Sequence, residues 1–429
     1  MSDRRAVDPI AALRHRGFLI YTIGGLISNS GTQMRMVAVQ WEIFKRDPDP
    51  IYLGYIGLAL VVPIILFALP AGAAADRYSR RRLIALAQVG MALCGFGLAW
   101  ASWTRAPLPL IYLLLFGSGA FRGLGWPAST AIVTGLVPNK VFSNAATWRS
   151  NTYQLASTLG PLTGGFLLAV TNPMIVFLVD AASSLIFACC MAFVHPRVQK
   201  RAIEPKSWRG VLQGIHFLRR QPIILSTMTL DMVAVLFGGV VALLPIFATE
   251  LGVHELGLGW MRAMPSLGSI LMGVIVATQP PIRRAGPTIL WTVIIFGLAT
   301  IVFAVTPWIY DGSFRALGLA LVALFVLGAA DNISVVIRQT VLQLMTPDSM
   351  RGRVTAVSTI FISSSNELGE FESGVMAKLL GVVPSVLLGG CVSLLSVPAV
   401  MVLFPQLVRL GSLEHLQPAE PSEAIEAIV

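Results

Sequence analysis

Twelve long apolar runs, in two sets of six separated by one polar interval, constrain this chain more than any other feature. They lie near 17–44, 51–75, 82–103, 107–136, 147–170 and 172–194, then near 222–249, 257–279, 286–308, 315–345, 353–380 and 382–405. A helix crosses the hydrocarbon core of a bilayer in about 20 residues, and each run is long enough. Composition agrees, with 55% apolar and 12% charged residues against roughly 45–50% and about 25% in soluble domains. The expected fold is an all-α membrane protein of twelve transmembrane helices in two six-helix bundles.

The longest polar interval marks the boundary between the sets. We divide the chain into an N-terminal bundle (1–194), a cytosolic linker (195–221), a C-terminal bundle (222–405) and a cytosolic tail (406–429). Within the linker, Val211, Ile215 and Leu218 fall at helical spacing with basic flanks. That pattern predicts a short amphipathic helix on the membrane surface. The polar N-terminus lacks a small-residue cleavage site behind a short apolar core, so the first run is expected to stay in the mature protein.

The formal charge of +10 raises nucleic acid as a partner, but no basic stripe is interleaved with aromatics, so none is expected. Topology accounts for the charge instead. With both termini inside, the cytosolic side takes 21 Lys and Arg and the far side 5, as the positive-inside rule requires. The expected location is the bacterial inner membrane, multi-pass, with both termini cytoplasmic. Cys94, Cys189, Cys190 and Cys391 all lie in apolar runs without metal or redox spacing, and read as packing residues.

A shift of 209 residues lays the second half on the first. "VPNKVFSNAATW" (137–148) falls on "TPDSMRGRVTAV" (346–357), and "LGPLTGG" (159–165) on "LGEFESG" (368–374). Parallel repeats of this kind are related by a pseudo-two-fold axis along the membrane normal, with a substrate site near mid-membrane between them. The repeat sets Arg122 against Asp331, and Pro161 against Glu370. The second half thus carries acids where the first carries neutral or basic residues.

Ionisable groups inside spans are costly and usually face a partner or a wet cavity. Asp331, Glu367, Glu370, Asp231, Arg122 and Arg338 are the candidates for proton coupling or cavity lining. Structural ion pairs are the competing reading for each of them. On a helix Glu367 and Glu370 stand about 60° apart, and Glu372 about 160° from Glu370. The first two are therefore expected to share a cavity face, with Glu372 structural. Asn29, Gln33, Gln154 and Asn332 supply amides at cavity depth as candidate substrate contacts.

"GAAADRYSRRRL", Gly72 to Leu83, joins the second and third spans. It resembles the Gly-x3-Asp-Arg-x-Gly-Arg-Arg loop of the major facilitator superfamily, matching at Gly72, Asp76, Arg77, Arg80 and Arg81, with Ser79 in place of a glycine. The resemblance implies a cytosolic gate holding the two halves together. "GPLTGG", with Gly160, Pro161, Gly164 and Gly165, resembles the span-5 motif of the superfamily's exporters, and is expected to pack closely at the interface between the halves. "ISNSGTQMRMVAVQWEIF" and "GAADNISVVIRQTVLQLMTPDSMRGRV" resemble the enterobactin-exporter-like branch.

Taken with the spans, the resemblance implies a secondary transporter working by alternating access. The expected activity is proton-coupled efflux of a siderophore or drug-like small molecule. Proton symport of a nutrient or lysolipid into the cell is the alternative. A non-transporting scaffold or an enzyme is a third reading. It has little behind it: no lysine follows a glycine, so there is no Walker loop, and "HELGL" (254–258) lacks the second histidine of a zinc-protease helix. No cofactor or metal is expected beyond the proton gradient as energy source. The expected partners are the small-molecule substrate and the lipid bilayer, with the chain working as a monomer.

Overall fold

The computed structural model of the chain describes residues 9–197, 208–280, 282–309, 314–413 and 416. The first part of the linker and most of the tail therefore lie outside the described residues. All the regular structure among the described residues is helical. The helices are α1 (Arg16–Arg46), α2 (Pro50–Arg77), α3 (Arg80–Trp103), α4 (Leu108–Leu136), α5 (Phe142–Val170), α6 (Pro173–Phe193) and α7 (Trp208–Arg220). They continue with α8 (Pro222–Gly238), α9 (Leu244–Glu250), α10 (His254–Thr278), α11 (Ala285–Ala304), α12 (Phe314–Met345), α13 (Asp348–Leu380), α14 (Val382–Leu403) and α15 (Pro405–Val408).

Most expected spans fall within a few residues of a helix. The seventh, expected as one run over 222–249, is instead broken: α8 stops at Gly238 and α9 starts at Leu244, with a 3-10 turn over Val241–Leu243. Its sequence explains the break. Gly238 and Gly239 weaken the helix, β-branched Val240 and Val241 follow, and Pro245 suits a helix start but not its interior. Nine stretches among the described residues are long and apolar enough to cross a membrane, one of them this broken span. The helices of similar length that fall short are α1, α5 and α13, which carry the most polar side chains.

The chain falls into two compact units, residues 1–42 with 62–205 and residues 43–61 with 206–429. In the first, Phe18, Tyr21, Leu83, Ile84, Ile132, Phe187 and Met191 form a buried core. Small residues bring its helices close, as in other membrane bundles. A Cβ on Gly90 of α3 would stand 2.4 Å from the Phe121 ring of α4, and one on Gly95 would stand 3.0 Å from Ala181 Cβ of α6.

In the second unit the core runs through Ile224, Ile289, Phe296, Ile337, Val354 and Leu407. The amphipathic helix α7 joins it. Phe217 and Leu218 are buried in the cluster, while Leu212 and Arg219 are exposed. Val211, named for the apolar face, has its side chain outside the described residues. Helix α7 is thus seated on protein: a Cβ on Gly214 would stand 3.1 Å from the Arg353 carbonyl of α13.

The start of α2 packs on α13 by backbone contact. A Cβ on Gly374 would lie 2.7 Å from Gly54 Cα, and one on Gly57 would lie 3.0 Å from Glu370 Cβ. Tyr55 stacks on Phe371 with ring centroids 6.2 Å apart. Beyond them Lys378 Nζ donates to Asp49 Oδ2 at 2.8 Å. This bond holds the Asp49 carboxyl below the usual range, with the Ile51 backbone N–H adding to it.

Candidate functional site

In the first unit the polar groups close on one another. Arg35 of α1 and Asp180 of α6 form an ion pair at 3.0 Å, with 2% and 0% of their side chains exposed. Glycines make the space for it. Gly31 lets α6 approach, its missing Cβ standing 3.2 Å from Asp180 Cα, and Gly95 leaves room 3.2 Å from Asp180 Oδ2. Two buried charges this close offset their desolvation only as a pair. Of the amides expected to meet substrate, Gln33 donates to Ser157 Oγ at 3.0 Å. Asn29 and Gln154 are half-buried, as is Arg122.

The span-5 motif faces inward on its own unit. Gly160, Pro161, Gly164 and Gly165 are all buried. A Cβ on Gly160 would stand 2.7 Å from the Ser30 carbonyl, and one on Gly164 would stand 3.0 Å from Met34 Cα. Both glycines seat α1 against α5 within the first unit. The cytosolic loop is partly engaged there too. Arg80 Nη1 donates to the Ala131 carbonyl of α4 and Arg81 Nη2 to the Ala192 carbonyl of α6, each at 2.7 Å. The Ala192 acceptor lies in the last turn of α6, where a cation is favoured. Gly72 is buried and Arg77 exposed, while the Asp76 side chain lies outside the described residues.

Arg35 Nε and Asp180 Oδ1 are nonetheless buried without a hydrogen-bond partner; the second unit has a buried pair of its own. Asp231 of α8 is bonded to Arg338 of α12, with 8% and 5% of the side chains exposed. These two sequence candidates thus form a buried pair. Beside them Asp331 and Ser334 of α12 share a crevice with Asp231, Ala234, Thr292 and Phe296. Asp331 has no hydrogen-bond or ion-pair partner among the described residues. Next to it, Asn332 Oδ1 is buried with no partner, over the space left by Gly273 of α10.

On α13 the three glutamates diverge as their helical spacing requires. Glu370 packs against Gly57 of α2; its Oε2 is buried with no hydrogen-bond partner, and Arg262 of α10 acts on it through space. The Glu367 carbonyl also meets Gly57. Glu372 looks elsewhere, into a crevice beside the break at Gly239.

Sequence reasoning missed the Arg35–Asp180 pair. The partners are 145 positions apart, and no local signal joins them. It also missed Ser28, whose hydroxyl donates to Gln88 Oε1 at 2.9 Å. Only the presence of polar side chains in apolar runs marked these positions.

Residues 21–370 match the Major Facilitator Superfamily, and the chain belongs to that family. It is therefore a transporter with the twelve-helix, two-bundle fold of that family, and not an enzyme. It is 25% identical over 390 residues to the uncharacterized MFS-type transporter YfiS of Bacillus subtilis, covering 88% of this chain and 90% of YfiS. It is 27% identical over 319 residues to the enterobactin exporter EntS of Escherichia coli, covering 73% of this chain and 74% of EntS. Its fold is similar to a bacterial homologue of the iron transporter ferroportin in an inward-facing state, with TM-score 0.67, 18% identity, and coverage of 92% of this chain and 99% of that one.

Proposed function

We propose that this transporter exports a siderophore-like or drug-like small molecule across the bacterial inner membrane, driven by inward proton flow. Alternating access between two six-helix bundles supplies the mechanism. Asp331 carries the proton-coupling part of the reading. It stands in a crevice beside a buried ion pair, Asp231 with Arg338, and has no ion-pair partner among the described residues. An intramembrane carboxyl group without a fixed counter-ion is the kind that exchanges a proton as its surroundings change. The buried Asp231–Arg338 pair holds α8 to α12 and fixes the wall on which Asp331 sits. Glu370, with one oxygen unpartnered and Arg262 acting on it through space, is a second intramembrane acid that could take part.

The export direction rests on likeness to the enterobactin exporter over about three quarters of both chains. Enterobactin and ethidium are the probes for the test, in membrane vesicles of both orientations energised by a proton gradient. Export predicts accumulation of a probe in everted vesicles, and loss of at least about tenfold of that rate in Asp331→Asn. Accumulation only in right-side-out vesicles would establish import instead. Gradient-driven transport at the unaltered rate in Asp331→Asn would remove the assignment of the proton site.

A further inference from the structure

The broken seventh span makes a second crevice in the same unit. Helix α8 stops at Gly238, and the backbone is extended at Gly239, with φ −72° and ψ 98°. A helix that ends inside the membrane leaves its last carbonyls without a following turn to bond. It also brings the negative end of its dipole to that point. Around this end Gly238, Gly239, Glu372, Ser373 and Ser385 line a space of about one water molecule. Phe237, Val240, Leu243 and Val386 wall it.

The polar side-chain atoms among the lining residues are all oxygens. Ser373 Oγ donates to the Gly239 carbonyl at 2.6 Å, and Ser385 Oγ donates to the Val382 carbonyl at 2.7 Å. Each hydroxyl has given away its one proton, so it presents lone pairs to the space. Glu372 has no hydrogen-bond or ion-pair partner among the described residues, and no cationic side chain is among the residues lining the crevice. A carboxylate, a helix dipole end and hydroxyl lone pairs meet there with no cationic side chain among the lining residues.

We propose that this crevice binds a monovalent alkali cation, sodium in preference to potassium. Oxygen-only donors exclude the softer metals, which take imidazole or thiolate. The single carboxylate balances one positive charge, whereas calcium sites draw on several carboxylates. In keeping with this, no group of three His, Cys, Asp or Glu suited to a metal occurs among the described residues. The small volume favours the smaller ion stripped of its water. Interrupted helices use their C-terminal ends and unwound carbonyls to hold sodium in other transporter folds. The site shares no lining residue with the Asp331 crevice, so it stands or falls independently of the proton-driven reading.

The test uses the full-length protein in nanodiscs, with thermal unfolding followed at mildly alkaline pH in sodium, potassium or choline chloride at equal ionic strength. The expected result is a saturable upward shift of the midpoint in sodium only. Glu372→Gln abolishes it, and Asp331→Asn keeps it. Ser385→Ala, a milder change, raises the half-saturating sodium concentration several-fold and serves if Glu372→Gln does not fold. The absence of a sodium-specific shift in the unaltered protein would overturn the proposal. So would a shift that survives Glu372→Gln, an unchanged half-saturation in Ser385→Ala, or a shift lost in Asp331→Asn.

Discussion

Arg35 and Asp180 show what a buried charge demands of its neighbours. Both side chains are almost wholly enclosed, so removing one partner leaves the other uncompensated. Asp180→Asn should destabilise the first unit by about 3–5 kcal/mol, whereas replacing both residues by apolar ones of similar size should restore most of that. Thermal unfolding of the two single variants and the double variant in detergent checks the non-additivity. Asp49 and Lys378 are the opposite case, an exposed pair at 2.8 Å that contributes little. Because the folded carboxyl is held below its ordinary range, the contribution is present above the unfolded pKa of about 3.9 and fades as pH falls through the folded value. The difference in melting point between the protein and Asp49→Asn should therefore shrink on acidification and be absent well below that range. Single residues were the least legible scale in the sequence. Their unusual placement in apolar runs marked Asp231, Asp331 and Arg338, but only the folded chain shows that Asp231 has its arginine and that Asp331 has none among the described residues.

Helices were far more legible, because hydrocarbon thickness sets their length and apolar composition marks them. The sixth and twelfth spans illustrate this: α6, moved by the 209-residue repeat, lands on 382–402, against Val382–Leu403 for α14. The divergence of Glu370 and Glu372 also followed from helical geometry alone. What the sequence hid was the break in the seventh span, since Gly-Gly and Pro are tolerated in membrane helices as often as they interrupt them. Crossing partners were hidden as well. Gly160 meets the Ser30 carbonyl of α1, and its repeat equivalent Gly369 meets the Val235 and Leu236 carbonyls of α8, each inside its own unit. At the crossing of α2 and α13, the atoms facing a Cβ on Gly374 are all backbone and cannot swing aside. Gly374→Ala should therefore cost about 1–3 kcal/mol, while Gly318→Ala, with nothing within 4 Å, should cost nothing and can stabilise by up to about 1 kcal/mol. Melting points of the two variants provide the comparison.

At the scale of the whole molecule, the repeat preserves close helix crossings but not charge. The first unit buries Arg35 with Asp180, and the second buries Asp231 with Arg338 on different helices. Neither pair falls on the other under the repeat. Asp331 and Glu370, whose repeat equivalents are Arg122 and Pro161, belong to the second unit alone. Each half thus carries one buried structural pair, and on the proposed reading the second half alone adds the acids that exchange a proton. On the proposed reading, protons enter through Asp331 as substrate leaves. Proteoliposomes loaded with a pH-sensitive dye and given an enterobactin gradient measure it directly. Coupling through Asp331 predicts proton movement opposite to enterobactin in the unaltered protein, and none in Asp331→Asn despite continued enterobactin exchange. Proton flux of the same size in Asp331→Asn, or protons moving in the same direction as enterobactin, would contradict it.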